Sequence, residues 1–206
     1  MITAMQWREA VKFFDKDRVI PDGQLDAILE AGRLSPSSYG IEPWKFLVIR
    51  DGEIRKRIRE VAYDQPRVTD SSVLIVIARR AGARHDLAPE LVSRTARARG
   101  VSEEAAAQVG ADVQMKIDSL DEGDLDCWVR SQVYIPLGVM MSAASLIRID
   151  CAAMEGFLPE RVDEVLGLPA KGLKSTVMLS LGYRAPENEH RPKARRDFLE
   201  VVEYIG

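Results

Sequence analysis

Basic side chains are concentrated in two groups in this sequence, and side chains of this type bind anions such as phosphate. Arg8 and Lys12 form a pair near the start. The second group lies far along the chain and comprises Arg191, Lys193, Arg195 and Arg196. Guanidinium and ammonium groups donate charge-assisted hydrogen bonds to phosphate oxygens, although such groups are also common on ordinary solvated surfaces. If the fold brings the two groups together, they can bind a single phosphate.

A second candidate is the polar segment 35–46, which reads Ser-Pro-Ser-Ser-Tyr-Gly-Ile-Glu-Pro-Trp-Lys-Phe. Its serines offer hydroxyl and backbone hydrogen bonds with little bulk, Gly40 permits a positive φ angle, and Trp44 can anchor its end. These properties are typical of a ligand-binding loop. From composition alone, however, a plain connector between a helix and a strand is the simpler interpretation.

Several familiar kinds of site are not indicated. Cys127 and Cys151 are the only cysteines, His85 and His190 are the only histidines, and none of them shows zinc-ligand or disulfide spacing. We therefore expect no metal and a reducing, cytoplasmic location. The sequence has neither a glycine-rich dinucleotide fingerprint nor a Gly-Lys-Ser/Thr phosphate loop, so a nucleotide would have to be held by side chains.

The composition is that of a globular enzyme. With 206 residues, of which 46% are apolar, the chain can bury one substantial core, and we expect a single domain over residues 1–206. A net charge of −3 argues against a surface that binds nucleic acid. No apolar run is long enough to span a bilayer, and the first residues lack the pattern of an export signal, so we expect no membrane association.

Apolar periodicity predicts the elements that must position these residues. Helices are expected over residues 4–14, 24–34, 51–62, 87–99, 102–120, 125–149 and 160–166. Strands are expected over residues 45–50, 73–78, 149–153 and 175–181, and residues 198–205 are expected to form a short helix or strand. In the first helix Arg8 and Lys12 would lie one turn apart, so both could contact one ligand. Because helices and strands are interspersed without a regular βαβ rhythm, the pattern favours an α+β fold.

Two of the helical regions differ from the others. Segment 125–149 is apolar on nearly every side, which predicts burial in the core or, preferably, against a second subunit, with a kink at Pro136. Residues 88–123 are rich in alanine and charge and carry the weakest packing signal. We expect them to be peripheral or mobile and to influence the choice of substrate.

Four separated segments and the second basic group resemble, in the same order, the nitroreductase family of FMN-dependent enzymes that oxidise NAD(P)H. The resemblance covers nearly the whole chain. Residues 8–14 are similar to the family's early Arg-x-Ser-x-Arg/Lys-x-Phe helix, whose basic residues bind the FMN phosphate and the edge of the flavin ring. The resemblance implies cofactor contacts from Arg8, Glu9, Ala10 and Lys12. Ala10 stands where a hydroxyl is common, and Glu9 stands where a basic or aromatic residue is frequent.

Segment 35–46 resembles the family's signature loop, and this implies that Pro36, Ser37 and Ser38 reach the FMN of the other subunit of a homodimer. Residues 63–67 resemble a segment that supplies an amide and a basic residue to the pyrimidine edge of the flavin, although they can also be a plain helix-to-strand turn. Asp64 replaces the more usual asparagine there. An acid would repel an electron-rich flavin, so we expect Gln65 and Arg67 to make the contacts.

The remaining two matches lie later in the chain. Residues 153–157 are similar to the family's Pro-x-Glu-Gly-Phe/Tyr loop, which lies against the flavin ring and directs a backbone N–H at its N5 atom. This match implies cofactor contacts from Met154, Glu155 and Gly156. Residues 190–195 are similar to the family's C-terminal Lys/Arg-x-Arg clamp, which implies that Lys193 and Arg195 bind the same phosphate as Arg8.

The resemblance implies an α+β fold with a central, mostly antiparallel mixed sheet flanked by helices and a long buried helix at a dimer interface. It implies an FMN-dependent oxidoreductase that uses NAD(P)H to reduce nitroaromatics, quinones or similar electron-poor acceptors in two half-reactions. A reductive dehalogenase, a flavin-consuming enzyme and a peptide-azoline oxidase share the fold and remain alternatives. A further alternative of another class is a flavin-binding or helical interaction module without turnover.

Overall fold

The sheet at the centre of the molecule has four strands. A computed structural model describes residues 1–188 and 192–206 of the chain. The strands are β1 (Trp44–Ile49), β2 (Val73–Arg80), β3 (Asp150–Met154) and β4 (Leu173–Gly182). Their order is β1-β2-β4-β3, and each neighbouring pair is antiparallel. β2 and β4 therefore lie in the middle of the sheet, as the continuous apolar run in β2 predicts.

Nine α-helices are described. They are α1 (Ile2–Trp7), α2 (Asp22–Arg33), α3 (Gly52–Glu60), α4 (Arg67–Asp70), α5 (Ala83–Arg99), α6 (Glu103–Asp118), α7 (Glu122–Leu146), α8 (Pro159–Leu166) and α9 (Phe198–Val201). Two ends use the predicted local signals: Asp51 accepts a hydrogen bond from the Ile54 backbone N–H at the start of α3, and Gly167 closes α8 with a φ of 61°.

Helices cover both faces of the sheet. Alternate residues of β2 point to opposite faces, so Ile75 packs in one core cluster with Ile28 of α2 and Met140 of α7. Val76, its neighbour in sequence, packs in the other cluster with Ile58 of α3. The α+β architecture expected from the sequence is thereby confirmed.

The helix predicted over residues 4–14 is wrong beyond Trp7. Arg8 has an extended backbone with φ −60° and ψ 129°, and the chain then runs beside β3. The Val11 N–H donates to the Cys151 carbonyl at 3.4 Å, and Ala10 and Cys151 form an isolated parallel bridge. Pairing with a distant strand thus replaces the local helix, and Arg8 and Lys12 do not lie one helical turn apart.

α5 and α6 pack against each other and form a third core cluster with the start of α7. Leu87, Val113 and Val129 are buried in this cluster. Gly110 allows the two helices to approach closely, since a Cβ atom there would lie 2.4 Å from a methyl carbon of Val92. The segment that the sequence predicts to be peripheral or mobile therefore contains two packed helices that share a core cluster.

α7 is buried on one side only within this chain. Val133 and Met140 lie in the core, whereas Ile135 and Leu146 are exposed. Pro136 lies inside the helix, and its side chain is buried. Within the described part of the chain, no helix has both the length and the apolar character needed to cross a membrane.

Candidate functional site

The end of β3 and the turn before α4 meet at Gly156. Met154 is buried at the end of the strand, while Glu155 and Gly156 are exposed in the loop that follows. The Gln65 side-chain N–H donates to the Gly156 carbonyl at 2.6 Å and to the Ala62 carbonyl at 3.0 Å. The structure therefore joins two of the predicted segments through one amide side chain.

The turn that carries Gln65 has an unusual backbone. Tyr63 and Asp64 have φ angles of 52° and 51°, in the left-handed region that non-glycine residues rarely adopt. The Asp64 carboxylate accepts a hydrogen bond from Arg59 at 2.6 Å, an arrangement that sequence reasoning missed. The ion pair with Arg59 engages the Asp64 carboxylate, whose charge would repel an electron-rich ligand. It therefore supports the prediction that Gln65, and not Asp64, contacts the cofactor.

Arg67 is the first residue of α4, and its positive charge lies in unusual surroundings. Its backbone carbonyl accepts a hydrogen bond from the buried Ser180 hydroxyl at 2.8 Å, which fixes the start of the helix against β4. Its guanidinium is partly buried, and this burial lowers the pKa of Arg67. Within residues 1–188 and 192–206 no carboxylate forms an ion pair with Arg67. A partly desolvated, unneutralised cation favours an electron-rich ligand.

Lys193 of the second basic group lies against the end of α1, just before Arg8. Lys193 donates through Nζ to the Met5 carbonyl at 2.7 Å and to the carbonyl of Gln6. Partial burial lowers the pKa of Lys193, and the positive charges of Arg8 and Arg195 lower it further. A residue late in the chain is therefore held beside the early segment that carries Arg8.

Other members of the basic groups lie in different surroundings. The Lys12 side chain is exposed, and its backbone N–H donates to the Asn188 side-chain oxygen at 3.1 Å. Arg196 is exposed. Arg191, which belongs to the same predicted group, and His190, which begins the matching segment, lie outside the described residues.

Glu9 and Ala10 complete the first predicted segment. The Glu9 carboxylate accepts hydrogen bonds from Arg184 at 2.5 Å and from Asn188 at 3.1 Å. Ala10 is exposed and pairs through its backbone with Cys151. These contacts hold the extended segment against β3 and β4, and they give Glu9 a structural task beside the predicted cofactor contact.

The signature loop is ordered by contacts with α5 and α7. The Ser38 N–H donates to the Gln132 side chain of α7 at 2.8 Å, and the Ser37 hydroxyl accepts from the Glu42 N–H at 2.8 Å. Arg94 of α5 donates to the Gly40 carbonyl. The loop residue Pro36 is exposed. The loop is thus fixed on one side and presents its proline to the outside.

Strain is stored in the same loop. Tyr39 and Glu42 have positive φ angles of 53° and 43°. Such backbone conformations persist where surrounding contacts hold them, and they are concentrated at functional sites. The Tyr39 ring packs edge-on against Trp128 of α7 with the centroids 6.3 Å apart, which contributes to holding the strained backbone.

Sequence reasoning missed a polar cluster on α7. The Tyr134 hydroxyl donates a hydrogen bond to the Glu155 carboxylate, and Arg130 lies one helical turn before Tyr134. Burial raises the pKa of Tyr134, and the hydrogen bond to Glu155 raises it further. The i, i+4 spacing of Arg130 and Tyr134 was the available signal, but it lies inside a helix whose apolar character dominates the pattern.

The comparisons with known proteins agree on one family. The description "Nitroreductase family" matches residues 5–183. A "putative NAD(P)H nitroreductase" of Staphylococcus saprophyticus is 32% identical over 214 residues, which cover 100% of this chain and 96% of the relative. A protein of the same description from Staphylococcus epidermidis is 33% identical over 220 residues, with the same coverage of both chains.

Solved structures show the same fold. A nitroreductase-like protein of Streptococcus mutans has a TM-score of 0.86 at 20% identity, covering 100% of this chain and 98% of the other. A "putative nitroreductase in complex with FMN" from Exiguobacterium sibiricum has a TM-score of 0.83 at 21% identity, covering 99% and 96%. With the extent of the family match and the identity to the staphylococcal proteins, we conclude that the chain belongs to the nitroreductase family.

Proposed function

We propose that this chain is an FMN-dependent oxidoreductase that takes electrons from NAD(P)H and passes them to a small electron-poor acceptor. The observation that carries the proposal is the contact of Lys193 with the backbone just before Arg8, in a molecule that also holds Gln65 against Gly156. The names of the staphylococcal relatives and the FMN in the Exiguobacterium structure support it.

The residues fit the phosphate of such a cofactor. Burial lowers the pKa of Lys193, the charges of Arg8 and Arg195 lower it further, and a bound phosphate would offset the repulsion between these cations. Arg8, Lys193 and Arg195 would hold the phosphate, with Lys12 on the exposed side of the same segment. Arginine suits this task because its planar fork binds phosphate oxygens in pairs.

The ring would lie between Arg67 and the loop after β3. Gln65 and Arg67 would address its pyrimidine edge, while Met154, Glu155 and Gly156 would lie beside it. When bound, FMN accepts a hydride from NAD(P)H and delivers two electrons to the acceptor that replaces the nicotinamide. Arg67 would stabilise the negative charge that develops on reduction, because it is partly desolvated and fixed in place.

A homodimer would complete the site. The tail after residue 197 exposes large apolar side chains, with exposed fractions from 53% to 90%: Phe198, Leu199, Val201, Tyr204 and Ile205. Ile135 and Leu146 of α7 add to the exposed apolar surface. Large apolar side chains exposed together in one segment favour an interface between proteins. In the dimer, Pro36, Ser37 and Ser38 would reach the partner's cofactor.

The first test is the absorption spectrum of the purified protein, followed by anaerobic addition of NADH or NADPH. We expect a yellow protein that one of the nicotinamides bleaches and that a nitroaromatic or a quinone then reoxidises. Initial rates measured at several concentrations of both substrates should give parallel double-reciprocal lines, as two separate half-reactions require. A colourless protein that takes up no added FMN would overturn the proposal.

The oligomeric state is tested by light scattering. We expect a particle of twice the chain mass of 23.0 kDa. A monomer that binds FMN tightly would show that the cofactor site lies within one chain, and the role given to Pro36, Ser37 and Ser38 would then be wrong.

A further inference from the structure

The Glu155–Gly156 loop is held from two sides. On one side Gln65 donates to the Gly156 carbonyl at 2.6 Å. On the other side the Tyr134 hydroxyl donates to the Glu155 carboxylate, and Tyr134 belongs to α7, which packs on the opposite face of the sheet from α3. Two hydrogen bonds from different elements therefore restrain two consecutive residues.

The Tyr134 side of this arrangement is charged as well as hydrogen-bonded. Arg130 lies one helical turn before Tyr134 on α7, and its positive charge attracts the Glu155 carboxylate. The direction of the Tyr134 hydrogen bond is fixed, because an ionised carboxylate can only accept and the hydroxyl must therefore donate.

The Tyr134 ring performs a separate, structural task. It packs against the main core cluster, so the apolar part of the side chain is anchored while the hydroxyl extends to the loop. A phenylalanine at this position retains the ring and its packing and removes only the hydroxyl. The contribution of the hydrogen bond can therefore be measured without disturbing the core.

We propose that Tyr134 is a positioning residue for the proposed oxidoreductase reaction: its hydroxyl fixes Glu155 and so sets the direction of the backbone at Gly156 beside the cofactor. The inference rests on the proposed function and deepens it. Tyr134 is not one of the cations that would hold the phosphate. It therefore acts on the geometry of electron transfer and leaves the retention of the cofactor unchanged. A displacement of about 1 Å at a reacting centre slows reactions by about a hundredfold.

The test compares Tyr134→Phe with Tyr183→Phe. Tyr183 is a matched control because it also packs against the main core cluster and its hydroxyl also donates to a side chain, that of Gln24 at 3.4 Å. We expect Tyr134→Phe to retain FMN within about twofold, to slow anaerobic reduction of the bound flavin by about tenfold, and to shift its reduction potential. Tyr183→Phe should match the unmodified protein in all three measurements.

A second pair of variants addresses the other end of the hydrogen bond. Glu155→Ala removes the acceptor of the Tyr134 hydrogen bond, so the rate of flavin reduction should fall by about tenfold. Combining Tyr134→Phe with Glu155→Ala should slow it no further than Glu155→Ala alone, since both remove the same contact. Glu155→Ala also serves if Tyr134→Phe fails to fold.

The outcomes separate the inference from the proposed function. Unchanged reduction rate and potential in Tyr134→Phe would overturn the inference, as would a double variant slower than Glu155→Ala alone, while the oxidoreductase assignment would stand. If the unmodified protein takes up no FMN, the proposed function fails and the inference fails with it.

Discussion

The Asp150 carboxylate binds Arg184 through both its side chain and its backbone. It accepts from Nε at 2.9 Å, from Nη2 at 2.5 Å and from the backbone N–H at 2.8 Å. Asp150 begins β3 and Arg184 follows β4, and Arg184 also donates to Glu9 and lies over the Trp7 ring at 4.7 Å. One ion pair thus ties two strands to the segment that carries Arg8.

Loss of this ion pair should destabilise the fold. Asp150→Asn leaves the partly buried Arg184 with Glu9 as its remaining acidic partner, so we expect the free energy of unfolding to fall by about 3 kcal/mol in urea denaturation. Asp26→Asn, at an exposed position of α2, should change it by less than about 0.5 kcal/mol. Equal effects of the two changes would contradict the structural role of Asp150.

Removing a cation near Lys193 should weaken FMN retention more than removing an ordinary surface charge does. We expect Arg8→Ala and Arg195→Ala each to weaken FMN retention by about tenfold or more, because each removes a charge-assisted contact to the phosphate. Arg196→Ala removes an equal charge from an adjacent exposed position and should change retention by less than about twofold. Equilibrium dialysis measures all three, and unchanged retention in both of the first two variants would refute the clamp.

Retention of FMN should depend on the protonation of Lys193. Partial burial and the charges of Arg8 and Arg195 lower the pKa of Lys193, so it loses its charge below the ordinary lysine value of about 10.4. Phosphate binding needs the charged form, so retention should be complete below the folded pKa and decline as the pH rises through it. In the cofactor-free protein the effect of pH is opposite. The stability of the fold should rise as the pH rises through the folded pKa of Lys193, because deprotonation removes the repulsion.

Lys193→Arg is the matched variant for this pH dependence, since arginine stays protonated throughout the alkaline range. Fluorescence of released FMN, followed during alkaline titration, should show loss of cofactor in the unmodified protein at a pH where the variant still retains it. Coincident release curves would show that Lys193 does not control the retention.

Arg67 should act on the flavin more than on the fold. Arg67→Met keeps a similar length and removes the charge, so we expect slower reduction of the bound flavin by about tenfold and a lower reduction potential. Arg57→Met, at an exposed position of α3, is the control. Rapid-mixing absorbance gives the rates, and equal rates for the two variants would exclude Arg67 from the reaction.

The Cys151 thiol should be unreactive in the folded protein. It has no exposed surface, and burial raises the pKa of Cys151 to about 11. In a Cys127→Ser variant, a thiol reagent at pH 8 should modify no cysteine until urea is added, and one afterwards. Because the folded state disfavours the thiolate, stability should be lost as the pH rises above the ordinary cysteine value of about 8.5. Reaction without urea would show that the segment 8–14 opens from β3.

Local signals were sufficient for much of the fold. The apolar run of β2, the cap at Asp51 and the terminal glycine of α8 each lie within a few residues of the element that they define. The segment after Trp7 was mispredicted because its apolar residues Val11 and Phe14 pack against Ala152, a partner that helical periodicity does not reveal. Non-local pairing outweighed helical propensity there.

The candidate site also has some features that the sequence predicts and others that only the folded chain reveals. Residue types alone indicated the basic groups, and the family resemblance was needed to associate Gln65 with Gly156, which lie 91 positions apart. The Tyr134–Glu155 hydrogen bond could not be predicted, since it depends on how α7 is rotated over β3. The ion pair between Arg59 and Asp64 depends on two positive φ angles that the sequence does not encode through glycine.

The bond from Lys193 to Met5 spans 188 positions, and this separation has a consequence for how the protein acquires its cofactor during synthesis. A ribosome releases the segment containing Arg8 early, but Lys193 and Arg195 emerge only after every strand of the sheet has been made. Closing so long a loop is entropically opposed until the intervening sheet has folded. The phosphate clamp would then form after the sheet, and a nascent chain would capture FMN only once the strands of the described sheet have been made.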